Sequence, residues 1–357
     1  MEVPAEILIA IASRLHIKDL KNFRLVSRQC ASAGLSFIPQ NGLSVVDTVE
    51  CIKRFKALLL CSDIANNTRK ITFLYGTWPI CFSRRDWARH PLLFRGNDRS
   101  NATRLHSTND TAAEKAFEEY SKFREQELSR RYYDDVADIF NILSCLPNLR
   151  WVDIGSMETC AWNPSRKPQL YELQKKIWMS PKINYDVTPS LQKFLLAFNN
   201  QFQKVKTLSI TGLFNSAMLD TPPVHYQLQS IEVLQIESFG TSQNHDMARK
   251  FLLAFPNLIE LSLNFQGWAS SLLDIVVEIR WQKLRVLHLT DVSASEQEIF
   301  NIISNHQETL TQFTVNCATL KRGSWHALLL RLGTLKSSAT IALGGELCGT
   351  ILLHTPV

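Results

Sequence analysis

The chain lacks the signatures by which most enzymes announce themselves. It has no G-x-x-x-x-G-K-[ST] to cradle a nucleotide, no G-x-G-x-x-G and no G-x-S-x-G. Its nine histidines form no H-x-x-x-H pair, and its eight cysteines, at 30, 51, 61, 81, 145, 160, 317 and 348, never fall at C-x-x-C spacing. No metal, cofactor or catalytic residue is therefore expected. Long apolar runs are missing too: none reaches the length of a membrane span, and the start of the chain shows no basic stretch leading into an apolar one. Scattered cysteines in a chain of this size suit buried thiols in a reducing compartment. The expectation is an intracellular protein, cytoplasmic or nuclear, without a membrane partner. Charge of one sign is also scarce. A net +6 over 357 residues is too diffuse to point to nucleic acid without a patch.

What the chain does have is a repeat. Leu149-x-x-Val152-x-Ile154 recurs as Val205-x-x-Leu208-x-Ile210, Ile231-x-x-Leu234-x-Ile236, Leu258-x-x-Leu261-x-Leu263, Leu284-x-x-Leu287-x-Leu289 and Leu310-x-x-Phe313-x-Val315. The first positions are 56, 26, 27, 26 and 26 residues apart, so one degenerate copy fits in the first gap. A weak copy ends in Ile341-x-Leu343, and Ile71-Thr-Phe73 fits an earlier one. The fourth and sixth positions of each copy share one face of a strand. Helix signals lie between copies: Thr188-Pro189 before Leu191, Phe194, Leu195, Phe198 and Phe202; Phe251, Leu252 and Phe255; and the capping box Ser295-x-x-Glu298 before Ile299, Ile302 and Ile303. One strand and one helix per 26–28 residues resembles a leucine-rich-repeat solenoid, with a curved parallel sheet inside and helices outside. Residues 344–357 are expected to form an irregular cap.

Two stretches break the rhythm. Residues 76–110 hold Trp78, Trp87 and Phe94 among arginines, with six Arg against Asp86 and Asp98 between 82 and 107. This reads as a long loop inserted into the array, able to touch RNA or an acidic partner, though a solvated insertion is the commoner outcome and nucleic acid is not the favoured partner. Residues 155–187, with Trp162, Trp178 and Tyr185, read as a second insertion whose aromatics pack on the array. Elsewhere, Leu43–Val46 reads as a strand. A helix capped by Asp47 or Thr48 runs to about Cys61, with Val49, Ile52, Phe55 and Leu59 on one face, until Asn66-Asn67-Thr68 breaks it. Thr111-x-x-Glu114 has capping-box spacing and opens a helix reaching towards Arg131, and another covers about 134–145.

The first residues form a separate module. Pro4 suits the first turn of a helix, Glu6 suits its positive end, and Ile7, Leu8, Ile11 and Leu15 make one apolar stripe. Asp19 is a good N-cap type for a second helix that places Leu20, Phe23 and Leu25 on one side, and Ser27 can cap a third. So short a stretch cannot bury all these aliphatics by itself, which asks for a partner surface. Pro4-Ala-Glu-Ile-Leu8, Ile11, Leu15, Asp19-Leu20 and Arg24-Leu-Val-Ser-Arg28 together resemble the F-box. Val3 stands where that family usually has Leu, and Cys30 where an aromatic is common.

The resemblance covers residues 1–38. It implies a helical module that docks on the Skp-type adaptor of Skp–cullin–F-box ubiquitin ligases and, through it, on a cullin. Pro4, Ile7, Leu8, Ile11, Leu15, Leu20, Leu25 and Val26 would be the adaptor-binding residues. Residues 39–357 would be the repeat array that holds a protein target. The combination is most similar to the large set of such substrate receptors in filamentous fungi. A non-catalytic role is implied, with ubiquitin transfer done by other subunits; Cys30 has no nearby His and occupies a packing position. The alternative is a repeat scaffold that works without a ligase.

An array of this kind presents the residues between its inward aliphatics on the concave side. The fifth positions read Asp153, Ser209, Gln235, Ser262, His288 and Thr314, and the seventh Gly155, Thr211, Glu237, Asn264, Thr290 and Asn316. The strip is polar, without Lys or Arg, which argues against phosphate binding and for hydrogen-bonded protein recognition. Gln235, Glu237, Ser262, Asn264, His288 and Thr290, from three evenly spaced copies, are the candidate target-binding residues. Glu237 is the only carboxylate of the six, so a basic target segment is expected.

Overall fold

The computed structural model describes residues 3–35, 37–38, 42–90, 111–157, 168–182, 186–198, 203–215, 219, 228–240, 245–265, 276–335 and 339–349. The fold is α/β, with parallel strands joined by helices. The chain divides into two compact units, Met1–Tyr185 and Asp186–Val357.

The first unit begins with three short helices, α1 (Ala5–Ala12), α2 (Ile17–Val26) and α3 (Arg28–Leu35). Leu8, Cys30 and Ala33 form their small core with Phe23 against it. Helices α2 and α3 meet at Gly34, where a Cβ would stand 2.7 Å from the Arg24 stem and 3.2 Å from Leu20. Ser27 caps α3 by accepting from the Cys30 N–H at 3.1 Å. The expected boundaries shift slightly. Pro4 is the N-cap of α1 rather than its first residue, and α2 starts two residues before Asp19, with His16 as its cap. Asp19 instead occupies the first turn, where its charge suits the dipole.

The array follows with β1 (Leu43–Val46), α4 (Val49–Leu59), α5 (Ser62–Asn67), β2 (Lys70–Tyr75), α6 (Arg84–Arg89), α7 (Thr111–Leu128), α8 (Tyr132–Ser144), β3 (Trp151–Ser156) and α9 (Pro168–Ile177). The three strands are parallel, with Leu43 opposite Ile71 and Ile71 opposite Val152. Thr48 caps α4, and Ile52, Phe55 and Leu59 face the core. The Asn66-Asn67 pair does not break the chain as expected; it completes α5, a separate turn of helix after a stop at Leu60.

Residues 76–90 are likewise not a solvated loop. They carry α6, and Trp87 is fully buried in a cluster with Cys81, Ala116, Tyr120, Phe123, Leu173, Ile177 and Met179. Of the second insertion, residues 168–182 supply the other half of this cluster, with no named strand among them. Trp178 is packed, but on the first insertion and not on the strands of the array, its ring stacked 6.2 Å from that of Trp87. Interruptions of the repeat thus bury their apolar residues against one another. Phe94 with 91–110, and Trp162 and Tyr185, lie outside the described residues.

The second unit holds α10 (Thr188–Phe198), β4 (Thr207–Asn215), β5 (Val233–Gly240), α11 (His245–Leu253), β6 (Glu260–Asn264), β7 (Val286–Thr290), β8 (Ser293–Ser295), α12 (Glu296–Asn305), β9 (Gln312–Arg322), α13 (Trp325–Leu332) and β10 (Thr340–Gly349). Strands pair parallel in the order β4-β5-β6-β7-β9-β10, and β8 adds to β9. The register matches copy to copy: Leu208, Leu234, Leu261, Leu287, Phe313 and Ile341 stand side by side. The first five of these are buried. Residues 344–349, expected in an irregular cap, continue β10 after a bulge. The capping box at α12 is present, with Ser295 and Glu298 bonding each other's backbone N–H. Helix and strand faces meet in an aromatic core in which Phe251 lies 4.6 Å from Phe214 and 5.1 Å from Phe255.

The turns before the strands also stack. The N–H groups of Glu232, Ile259, Arg285 and Thr311 donate to the carbonyls of Lys206, Glu232, Ile259 and Arg285 one copy earlier. Asn257 donates its side-chain amide to Gln229 O at 2.9 Å. In the first unit Asn148 does the same to Asn66 O, also at 2.9 Å. These bonds occupy backbone groups that the turns leave unpaired.

Candidate functional site

The residues named for adaptor binding separate into two sets. Leu8 and Leu20 are buried inside the three-helix module. Ile7 and Ile11 point away from it, 51% and 42% exposed, and Leu25 and Val26 are exposed at 85% and 75%. The single stripe expected on α1 is thus two faces, with Leu8 and Ala12 inward and Ile7 and Ile11 outward. Pro4 is exposed and Leu15 half-buried. Leu25 does not join Leu20 on the packed side of α2, because five residues at 3.6 per turn set it about 140° round the helix. Val3, noted for its departure from the F-box pattern, and Ile9 are exposed as well. Val3 stands four residues before Ile7, on the period of the stripe, and Ile9 one residue off it. Cys30 is buried in the module core, as its packing position implied.

The strand-face residues of the second unit fall into rows. Gln235, Ser262, His288 and Thr314 are register partners, and Asn264, Thr290 and Asn316 form the next row. Glu237 is exposed but stands apart: the paired stretch of β5 with β6 ends at Ile236, and β4 shifts register between Ile210 and Leu213 beside it. Nor is it the patch's only carboxylate. Glu260 lies two residues before Ser262, hence on the same face, and accepts from the Gln235 amide at 3.2 Å. Lys206 and Glu232 pair at 2.6 Å at the strand heads.

The corresponding face of the first unit is built around Asp153. It takes an ion pair from Lys70 at 2.7 Å, the Trp151 indole N–H at 2.5 Å and the Thr72 hydroxyl at 3.3 Å. The Lys70 ammonium also sits 3.8 Å above the Trp151 ring, so this group satisfies itself.

Behind the strands, the inserted helices converge on Arg130. Its guanidinium bonds the carboxylates of Asp47 and Asp135, and that of Glu127 at 3.4 Å, while Glu127 accepts the Val49 N–H at 2.8 Å. Burial opposes the arginine's charge, but Asp47 and its neighbours outweigh it and hold Arg130 above its ordinary range. Burial pushes the Tyr75 phenol well up, and Asp47 adds to this. These are structural charges.

A cavity of about 630 Å³ opens between α4 and α9, lined by Glu50, Cys51, Arg54, Phe55, Leu58, Glu172, Leu173 and Lys176. Burial raises the Cys51 thiol above its usual value, so the group is a thiol rather than a thiolate nucleophile. Among the described residues no three His, Cys, Asp or Glu side chains are placed to hold a metal, and no helix is long and apolar enough to cross a membrane.

No family model matches the chain, and no curated protein matches it.

Proposed function

We propose that the chain is a substrate-recognition subunit of a Skp–cullin–F-box ubiquitin ligase. In this reading α1–α3 are the F-box, the remainder is a leucine-rich-repeat solenoid that holds the target, and the chain catalyses nothing itself. The carrying observation is where aliphatic side chains are left in water. Val3, Ile7, Ile9, Ile11, Leu25 and Val26 are all exposed within the first 26 residues, around a small core of Leu8, Ala12, Leu20, Cys30 and Ala33. Each aliphatic of this size gains roughly 1.5–3 kcal/mol on full burial, so the cluster supports a partner surface. The mechanism is proximity: a repeat array that binds a target raises the effective concentration of its lysines near a charged conjugating enzyme.

The exposed set makes a cleaner test than the buried one. Ile7→Ala with Ile11→Ala should weaken adaptor binding by about 2 kcal/mol or more, as truncation of buried interface aliphatics does. The melting temperature should stay near wild type because neither residue packs inside the module. Leu8→Ala would lower both. Undiminished capture of a purified Skp-type adaptor by the Ile7, Ile11 double variant overturns the F-box reading and leaves a ligase-independent repeat scaffold.

A further inference from the structure

The segment between β2 and α6 is held firmly yet leaves two large apolar side chains in water. The Tyr120 hydroxyl on α7 donates to the Pro79 carbonyl at 2.7 Å and accepts the Cys81 N–H at 2.7 Å. Arg124, one turn further along, donates to the Cys81 carbonyl at 2.6 Å. Upstream, the Lys182 N–H donates to the Thr77 carbonyl at 2.7 Å. Downstream, Ser83 caps α6 through the Asp86 N–H at 3.1 Å. Trp78 lies edge-on to Phe123 at 5.0 Å, and Cys81 and Trp87 are buried, so the strap has its own apolar floor. Tyr120 is itself fully buried, and burial pushes its hydroxyl up to about 12, so it stays protonated and able to donate.

Between these pins Ile80 and Phe82 face solvent, 52% and 75% exposed. The Ile80 N–H and C=O have no partner among the described residues. The surroundings are basic. Arg85 and Arg89 on α6 are exposed, Arg84 is half-exposed, and the Arg124 guanidinium lies 5.4 Å from the centre of the Phe82 ring. Asp86, the one carboxylate of α6, is engaged with the Ser83 hydroxyl at 2.7 Å. Apolar anchors on a pinned backbone lose little freedom on binding, and basic side chains beside them select the sign of what binds.

We propose that this strap, Trp78–Phe82 with α6, is a docking site for an acidic peptide segment that places an apolar side chain on Ile80 and Phe82 and its carboxylates on Arg84, Arg85 and Arg89. The Ile80 backbone groups, without a partner among the described residues, offer it main-chain hydrogen bonds. A peptide is favoured over RNA because Trp78 and Trp87 are turned into the cluster, which leaves Phe82 as the one exposed ring of Trp78–Arg89, where a strand of stacked bases needs several. None of these residues belongs to α1–α3, so the site stands whether or not the adaptor reading holds.

The test pans the full-length chain against a random dodecapeptide phage library. Selected peptides should be acidic and carry Leu, Phe or Trp. A fluorescein-labelled synthetic copy of the commonest one should bind about tenfold more weakly, or worse, to Ile80→Ser and Phe82→Ser. Arg84→Glu with Arg85→Glu should lose it by a similar factor, with all variants melting like wild type and capturing as much adaptor as wild type does. Absence of enrichment, or enrichment of neutral or basic peptides, overturns the proposal. So does equal binding by the two serine variants, or tighter binding of a labelled twelve-residue oligouridine that the arginine variant abolishes.

Discussion

In the second unit, the paired strands from β4 to β10 recur at intervals of 26 to 28 residues, and each copy rests on the copies beside it. In the first unit, Lys70 pairs with Trp151, so two neighbouring strands are separated by all of α6, α7 and α8. The same inward aliphatics stand at the same register in both: Ile71 beside Val152, Leu234 beside Leu261. A parallel array therefore tolerates a long excursion between two strands, partly because loop-closure entropy grows only slowly with length. The excursion brings its own stabilisation, namely the aromatic cluster around Trp87 and the charge network around Arg130. Packing and stacked turns hold both units, and the first adds a network of buried ion pairs.

That difference can be broken from either side. Phe251→Ala removes a fully buried ring touching Phe214, Phe239 and Phe255, and we expect a loss of about 4 kcal/mol. Hydrogen-exchange mass spectrometry should show faster exchange in β4–β6 and α11. Arg130→Met leaves Asp47, Asp135 and Glu127 facing one another without a cation, at a cost of about 3 kcal/mol. Here the faster exchange should be confined to β1, α4, α7 and α8. If either variant raises exchange equally through both units, the assignment of separate stabilising devices fails.

The parts of this fold that were legible were those where a single period decides. Leu208, Leu234, Leu261, Leu287 and Phe313 recur at fixed spacing, and parallel register with burial follows from it. The capping box at Ser295 was legible because it is local. The insertions were not. Trp87 sits among arginines, and residues far along the chain make it core: Ala116 and Tyr120 on α7, and Ile177, ninety residues on, whose carbonyl accepts the indole N–H at 3.3 Å. Ile7 and Leu8 are adjacent aliphatics in one short helix, and which faces inward depends on Cys30 and Ala33 in a different helix. Arg130 showed only part of its network, since Glu127 and Asp135 lie within five residues of it but Asp47, just before α4, lies 83 away.

A smaller effect separates the units by pH. His306 is buried in the second unit, accepting the Trp281 N–H at 3.2 Å on one ring nitrogen and facing the Ile302 carbonyl at 2.9 Å with the other. The Trp281 backbone N–H needs an unprotonated Nε2 and hence the neutral ring, whereas Nδ1–H can donate to the Ile302 carbonyl in either state. Burial lowers its affinity for a proton, the Ile302 carbonyl opposes this, and Arg280 adds to the lowering. With the folded value below the unfolded value of 6.5, the unfolded chain takes up the proton first. The contribution of neutral His306 is complete above 6.5 and falls away as pH drops through the folded value. Urea midpoints from pH 7.5 to 5 should therefore decline more for wild type than for His306→Gln, with exchange rising first around Trp281. Parallel pH profiles for the two proteins would show that His306 does not set the acid sensitivity of this unit.

The smallest expected change in stability falls on the strand face and decides where the proposed target is held. Gln235, Ser262 and His288 stand in one row, Asn264 and Thr290 in the next, and Glu260 joins them while Glu237 stands to one side. The acidic pair still favours a basic segment, the opposite sign from the ligand proposed for the Ile80–Phe82 strap. Glu237→Lys with His288→Glu leaves the packed side of the sheet untouched and should change stability by no more than about 0.5 kcal/mol, as surface substitutions do. Glu260→Gln, which keeps an acceptor for the Gln235 amide, separates loss of charge from loss of that hydrogen bond. If the face holds the target, both variants reduce the yield of captured proteins measured by quantitative mass spectrometry, while adaptor capture is unchanged. If yields match wild type, target recognition moves off the strand face. The strap variants Ile80→Ser and Phe82→Ser, run through the same capture, then show whether the insertion carries it.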